Sequence, residues 1–353
     1  MELSRERNEA IDRQDELPGS AAPPPVVVIV LNWNNLSDTL QSVESVRCSD
    51  YLNLGVWVVD NDSDEDPTVE IKAKYPDVRV LRTTGNLGYA GGNNVGLRAA
   101  IDCGAAYILL LNNDAAVAPD CVRRLVAAAQ ANPRIGMATP RVFHYERRNE
   151  VYWDGGFVDW KSGDVRHDSS SLPVEGGIIR SEWLNGCSLL VRVSAIRDIG
   201  LLDERYFLYF EDADWSVRAG RQGWTNAVVS EARAWHKVNV STGGFANPVM
   251  RFYFFRNRYL FSTTHSLFPG RLQWKCRYLW TMWCEYVRVH RERESRRVFL
   301  SVLASLLSGS TGAYSGTSNT QRFIHGLDAV LTWALKIGSV VKRLLPRSKK
   351  ARS

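Results

Sequence analysis

Residues 26–35 read VVVIVLNWNN: six aliphatic residues, five of them β-branched, and then an abrupt polar turn. A continuous β-branched run of this kind is the mark of a strand buried on both faces, the condition of a parallel sheet covered by helices. The turn after the strand matters as much. A dinucleotide-binding dehydrogenase places a glycine fingerprint directly after its first strand and an acidic residue about twenty positions later. Here the turn is Asn32-Trp33-Asn34-Asn35, which argues against that class.

Working outward, the same alternation repeats. Ser37 is placed to cap a helix with apolar positions at Leu40, Val43 and Val46. Val56–Val59 forms a second buried strand ending at Asp60 in the polar cluster DNDSDED, and Val78–Leu81 a third. The glycine-rich stretch Gly85–Gly92 opens a helix carrying Leu97, Ala100 and Ile101, with Gly104 as its stop. Tyr107–Leu111 is a fourth strand, ending in Asn112-Asn113-Asp114. Pro119 and Asp120 then open a helix halted by Pro133. Strands alternating with helices predict a parallel α/β sheet with right-handed crossovers, whose ligands sit beyond the carboxyl ends of the strands. Three of the four strands end in polar clusters, so the site is expected there. Residues 141–181 are turn-rich and predict hairpins or a loop over the sheet. Ser188–Val193 and a helix near Ser194–Ile199 restore order, and an acidic block, Glu211-Asp212-Ala213-Asp214, comes next.

Bulk properties are those of a globular chain. Its 353 residues are 45% hydrophobic and 23% charged, enough to bury a full core. A formal charge of +6 and a pI near 9.0 favour anionic partners such as phosphates or a lipid surface. Cys48, Cys103, Cys121, Cys187, Cys276 and Cys284 form no CxxC pair and no zinc spacing, which suits free thiols in a reducing compartment. Residues 1–25 lack the apolar stretch of a signal peptide and read as a disordered leader, so a cytoplasmic location is expected. The apolar runs Phe299–Leu307 and Ala329–Val341 fall short of the ~20 residues of a spanning helix.

The clusters carry chemistry at several points. Asn32-Trp33-Asn34 suits either nucleobase stacking or a plain polar turn. Asp60 is placed to accept from a base or ribose, or to form a turn. Glycines in Asn86-Leu87-Gly88-Tyr89-Ala90-Gly91-Gly92 let backbone N–H groups approach a phosphate at a helix N-terminus. Asp114 is the lone carboxylate of its turn, suited to a hard divalent cation shared with a diphosphate and water. Within the acidic block, a carboxylate of near-normal acidity would be ionised at neutral pH and able to take the proton of an attacking hydroxyl. His236, in Trp235-His236-Lys237, is either a second metal ligand or a structural histidine.

In this order, VVVIVLNWNN, VVDNDSDED, GNLGYAGGNNVGLRAA, LLLNNDA, the long stretch WLNGC…EDADWSVRAGRQGW over 183–224, AWHKVNVS and RNRYLF resemble glycosyltransferase family 2, most closely its rhamnosyltransferase-like branch. The resemblance runs from about Val26 to about Phe261. It implies a GT-A fold, a Rossmann-like, mostly parallel sheet flanked by helices with a helical C-terminal extension, and an inverting transfer of sugar from a nucleotide diphosphate. It implies a catalytic domain over 26–265, with a nucleotide-binding half to 140 and an acceptor-binding half from 141. Asn32, Trp33, Asp60, Asn86, Gly88 and Asn113 would then bind the nucleotide sugar. Asp114 and His236 would hold Mg²⁺ or Mn²⁺, Asp212 would be the general base, and Trp183 and Glu211 would lie on the acceptor side. The metal turn reads Asn112-Asn113-Asp114, so the first carboxylate of the family's DxD pattern is missing.

The branch suggests dTDP-L-rhamnose as donor and a cell-envelope glycan or polyprenyl-diphosphate-linked saccharide as acceptor, with a UDP-hexose or UDP-galactofuranose donor as the alternative. No nucleic-acid partner is expected. A non-catalytic nucleotide-sugar-binding protein would need neither Asp114 nor Asp212. A nucleotidyltransferase would need a basic glycine loop where NWNNLSD stands. Residues 266–341 read as helical, with Trp274, Trp280 and Trp283 among arginines, followed by a basic tail over 342–353. That composition suits helices packed on the catalytic domain or an interfacial contact with anionic lipid at the cytoplasmic face of a membrane.

Overall fold

The computed structural model describes residues 22–168, 172, 174–237 and 247–265, together with 278, 280, 299, 300, 302 and 303. The expected leader lies outside the described residues up to 21. Its last residues are tied down, since Pro24 O accepts from Tyr51 Oη at 2.7 Å and Pro25 O from Ala106 N at 2.9 Å. The basic tail, Trp274, Trp283, Cys276, Cys284 and the run 329–341 also lie outside, as does most of the expected C-terminal helical region.

The first strand, β1 (Val26–Asn32), is buried along almost its whole length. Its residues alternate between two cores, as a pleated strand must. Val26, Val28 and Val30 join one with Val43, Val46, Ile71 and Leu125; Val27 and Ile29 join the other with Leu97, Leu189 and Trp215. Helix α1 (Leu36–Arg47) comes next, then β2 (Leu54–Asp60), α2 (Thr68–Lys74), β3 (Arg79–Arg82), α3 (Gly88–Asp102) and β4 (Tyr107–Asn112). The cap of α1 is Asn35, whose side chain accepts from Asp38 N, and not the expected Ser37, which lies inside the first turn. Helix α3 packs closely on β1 because Gly96 leaves room; a methyl there would stand 2.9 Å from Ile29.

The strand β1 pairs in parallel with both β2 and β4, with Asn32 opposite Asp60 and Leu31 opposite Asn112. This register brings the polar ends of three strands to one edge of the sheet. A short strand β5 (Ala115–Val117) and helix α4 (Cys121–Ala131) lead into β6 (Ile135–His144), β7 (Val151–Trp153) and a two-stranded hairpin of β8 (Gly156–Asp159) and β9 (Asp164–His167). Then come β10 (Val174–Glu175), β11 (Ile178–Arg180), β12 (Ser188–Arg192), α5 (Val193–Ile199), α6 (Glu211–Arg221), β13 (Thr225–His236) and α7 (Pro248–His265).

Among the described residues the main sheet runs β10-β11-β13-β6-β12-β4-β1-β2-β3. It is parallel from β4 to β3 and mixed beyond, because β12 lies antiparallel between β4 and β6. The strand β6 spans the expected division at residue 140, so both halves share one sheet. The segment 141–181 is partly the expected hairpin, but its start completes β6. Helices α1, α2 and α4 cover one face and α3, α5 and α6 the other, as the two cores require. No helix among the described residues is long and apolar enough to cross a membrane.

Candidate active site

A cavity of about 480 Å³ opens at the polar edge of the sheet. Trp33, Asn86, Gly88, Asn113, Asp114, Glu211, Asp212 and His236, all singled out from the sequence, line it. Asn32 and Asp60 lie behind its wall instead. Asp60 is fully buried, accepting from Asn32 Nδ2 at 2.7 Å and from the Ser63 hydroxyl at 2.5 Å, with the Arg82 guanidinium 3.6 Å away. Ser63 Oγ also accepts from Asn34 N, so this network fixes the turn that presents Trp33. Trp33 itself is 48% exposed, a free aromatic face at the cavity rim.

His236 reaches Asp114 through sheet pairing. The end of β13 runs antiparallel to β5, with His236 opposite Ala115, and Lys237 N donates to Asp114 O at 3.0 Å. His236 Nε2 then lies 3.0 Å from Asp114 Oδ1, with the two side chains 12% and 6% exposed. Asn112 Nδ2 stands 3.5 Å from the same nitrogen. Asn113 turns back toward α1, donating to Thr39 Oγ1 at 3.3 Å. No group of three His, Cys, Asp or Glu able to hold a metal occurs among the described residues. One carboxylate and one imidazole nevertheless fit a divalent cation that takes its remaining ligands from a substrate diphosphate and water, the usual habit of Mg²⁺. The Asn112 Oδ1 atom, buried and without a hydrogen-bond partner, adds a neutral oxygen to the same corner.

Across the cavity, α6 begins with Glu211 and Asp212. Asp212 Oδ2 accepts from Gly186 N at 2.9 Å and Oδ1 from Ala213 N at 2.7 Å, which aims the carboxylate. Its acidity departs from the near-normal value expected of the acidic block. Burial raises Asp212 above the ordinary aspartate range, while the backbone N–H groups of Gly186 and Ala213 pull back only part of the shift. Burial, and then the adjacent Asp212 charge, push Glu211 well above the glutamate range, and its Oε2 has no hydrogen-bond partner. Of the two neighbouring carboxyls, Glu211 is pushed the further above its ordinary range. Trp183, expected on the acceptor side, is not among the residues that line the cavity; its ring meets Trp153 edge to face at 5.7 Å.

Asn61, Tyr89 and Tyr152 are among the lining residues to which the sequence assigns no role, although the first two stand inside motifs already quoted. Asn61 donates to Asn86 Oδ1 at 3.0 Å and accepts from Leu87 N at 3.0 Å, holding the glycine turn. Tyr89 donates to Gly186 O at 2.6 Å, the residue whose N–H holds Asp212. Burial keeps the Tyr89 phenol protonated. Tyr152, in the turn-rich middle segment, has its ring centroid 5.7 Å from that of His236, and burial above all pushes its phenol up to about 12.

The family model for glycosyl transferase family 2 matches residues 26–189. An N-acetylglucosaminyl-diphospho-decaprenol L-rhamnosyltransferase of Mycobacterium tuberculosis is 30% identical over 217 residues, covering 54% of this chain and 68% of the relative. Among solved structures, GalNAc-T7 with UDP, GalNAc and Mn²⁺ superposes with a TM-score of 0.54 at 15% identity, over 78% of this chain and 59% of that one. A mannosyltransferase of Pyrobaculum calidifontis in complex with GDP-Man and Mn²⁺ gives 0.50 at 16% identity, over 98% and 95%. The chain belongs to glycosyl transferase family 2 and has its GT-A fold. It is a glycosyltransferase.

Proposed function

We infer that the chain moves a hexosyl group, L-rhamnosyl from dTDP-L-rhamnose, to a hydroxyl of a polyprenyl-diphosphate-linked saccharide with inversion at the anomeric carbon. The observation that carries this is the aimed, buried Asp212 carboxylate in one cavity with the Asp114–His236 pair. The name of the mycobacterial relative supports the sugar and the lipid-linked acceptor. The Mn²⁺ bound with nucleotide in the two solved structures supports a divalent cation.

The chemistry derives from the placement. Trp33 and the Asn61–Asn86 turn receive the nucleoside, and the N-terminus of α3 faces its diphosphate. Asp114 and His236 hold the cation, which when bound neutralises charge on the leaving diphosphate. The acceptor hydroxyl attacks the anomeric carbon from the side of Asp212, which takes its proton as the bond to the diphosphate oxygen breaks. The nucleoside diphosphate leaves with the bonding electrons. One base opposite the leaving group gives inversion. Because burial raises Asp212, it is a stronger base than an exposed aspartate while ionised. Such an acceptor places the reaction at the cytoplasmic face of a membrane.

The test incubates the protein with dTDP-L-rhamnose, UDP-galactofuranose or UDP-hexoses, Mg²⁺ or Mn²⁺, and a short-chain prenyl diphosphate bearing N-acetylglucosamine. Acceptor mass should rise by one deoxyhexose only with the first donor. Transfer from a UDP-sugar instead would replace the donor; absence of product with every donor would overturn the reading.

A further inference from the structure

Residues 205–210, RYFLYF, lead directly into the Glu211–Asp212 pair, and their backbone is strained. Phe207, Tyr209 and Phe210 hold φ of 63°, 70° and 71°. For residues with side chains this region costs about 1–2 kcal/mol each and persists only where the surroundings over-determine it. The segment is neither helix nor strand, so its carbonyls need donors from elsewhere.

Those donors come mainly from two adjacent residues of α7. Asn257, fully buried, shares the two N–H groups of its Nδ2 among the carbonyls of Tyr206 at 2.7 Å, Leu208 at 2.6 Å and Tyr209 at 2.8 Å. Its Oδ1 accepts from Arg256 Nε at 2.7 Å. Arg256, also buried, donates to Arg205 O at 2.6 Å and Tyr206 O at 2.8 Å. From the opposite side, Tyr89 N and Ala90 N donate to Phe207 O at 2.6 and 3.3 Å. Every carbonyl from Arg205 to Tyr209 is thereby engaged. The far end of α7 grips the other flank of the pair: His265 Nε2 lies 2.6 Å from Asp214 Oδ1, in the first turn of α6.

We propose that Arg256 and Asn257 are positioning residues for the transfer, holding 205–210 in its left-handed conformation so that Asp212 faces the cavity before the acceptor arrives. The same clamp sets Phe207, Leu208 and Tyr209 as cavity wall. The RNRYLF motif, otherwise a helix segment of no stated use, thereby acquires a role. The idea rests on Asp212 as the base.

The test compares Asn257→Asp, isosteric but without N–H donors, with Arg256→Met and Arg256→Lys, each assayed well below its own Tm. Readouts are kcat, donor KM, and affinity for dTDP with Mn²⁺. Misplacing a catalytic group by about 1 Å costs on the order of 100-fold, so kcat should fall by about that much in Asn257→Asp and Arg256→Met. Affinity for dTDP should stay at the parental level, because Asp114 and His236 stand on other elements. Arg256→Lys, which keeps a cationic donor, should recover most of the loss. Should Asn257→Asp not fold, Arg256→Met carries the same decision. Parental kcat in the folded variants, or dTDP affinity falling together with kcat in step with lost Tm, would overturn the clamp. Asp212→Asn run in parallel separates the two ideas. If it retains turnover, the base assignment fails; if it is inactive while the clamp variants are normal, the clamp alone fails.

Discussion

Gly88→Ala tests how tightly the glycine turn and the cavity wall are locked together. Gly88 holds φ of +71°, and an added methyl would overlap the Phe207 carbonyl oxygen and stand 2.5 Å from Phe207 Cδ2. The left-handed backbone costs alanine about 1–2 kcal/mol. The overlap cannot be relieved by a rotamer change, because the oxygen is backbone and is held by Tyr89 N and Ala90 N. Overpacking of this kind adds about 1–3 kcal/mol, for a total near 3 kcal/mol. A domain of this size loses about 2–4 °C per kcal/mol, so Tm should drop by about 6–12 °C in a thermal melt. Donor KM should rise as well, since Gly88 itself lines the cavity at the start of α3. A variant melting within about 2 °C of the parent would show that the turn is not built as described, given the same scaling.

The paired carboxylates and the cation corner carry further expectations. Because Glu211 is raised, the folded chain binds more protons than the unfolded one from the ordinary value of 4.5 upward, and this group loses stability as pH rises. Glu211→Gln removes that dependence, so the Tm of the variant relative to the parent should rise from pH 4 to pH 8; a relative Tm that falls over that range would contradict the upward shift of Glu211. Asp212 is raised too, so kcat/KM should fall on the acid side with an apparent pKa above the ordinary 3.8, and a limb at or below that value would deny the burial effect. Asp114→Ala should weaken dTDP binding in Mn²⁺ by tenfold or more, about 1.4 kcal/mol, and leave binding in EDTA unchanged. Equal affinities with and without metal in both proteins would remove Asp114 from the cation site.

Much of this architecture is legible in the sequence where strands are buried on both faces. Val26–Leu31, Val56–Val59 and Tyr107–Leu111 read as strands because each is a continuous apolar run, and parallel register then carries their polar ends to one edge. The long strands β6 and β13 are less readable. Gly136 and Pro140 interrupt the first, and the second carries a bulge between Val229 and Arg233 that places Ser230 and Glu231 inside the run. The cap of α1 is ambiguous in sequence because Asn35 and Ser37 are both capping residue types two positions apart. The acidity of Asp212 depends on burial, which spacing cannot reveal. Asp60 and Asn32 stand at strand ends where ligands gather, yet their mutual hydrogen bond turns them inward. Tyr89 and Asn61 act through backbone groups of Gly186 and Leu87, contacts that arise only once the chain is folded.

The single-turnover rate of Asp212→Asn, measured with donor and Mn²⁺ already bound, bears most directly on whether this carboxylate receives the acceptor's proton. General-base catalysis contributes about 10²–10⁴-fold, so glycosyl transfer should slow by that factor while dTDP affinity is retained. A rate close to the parent's, with donor equally bound, would mean that the proton leaves by another route.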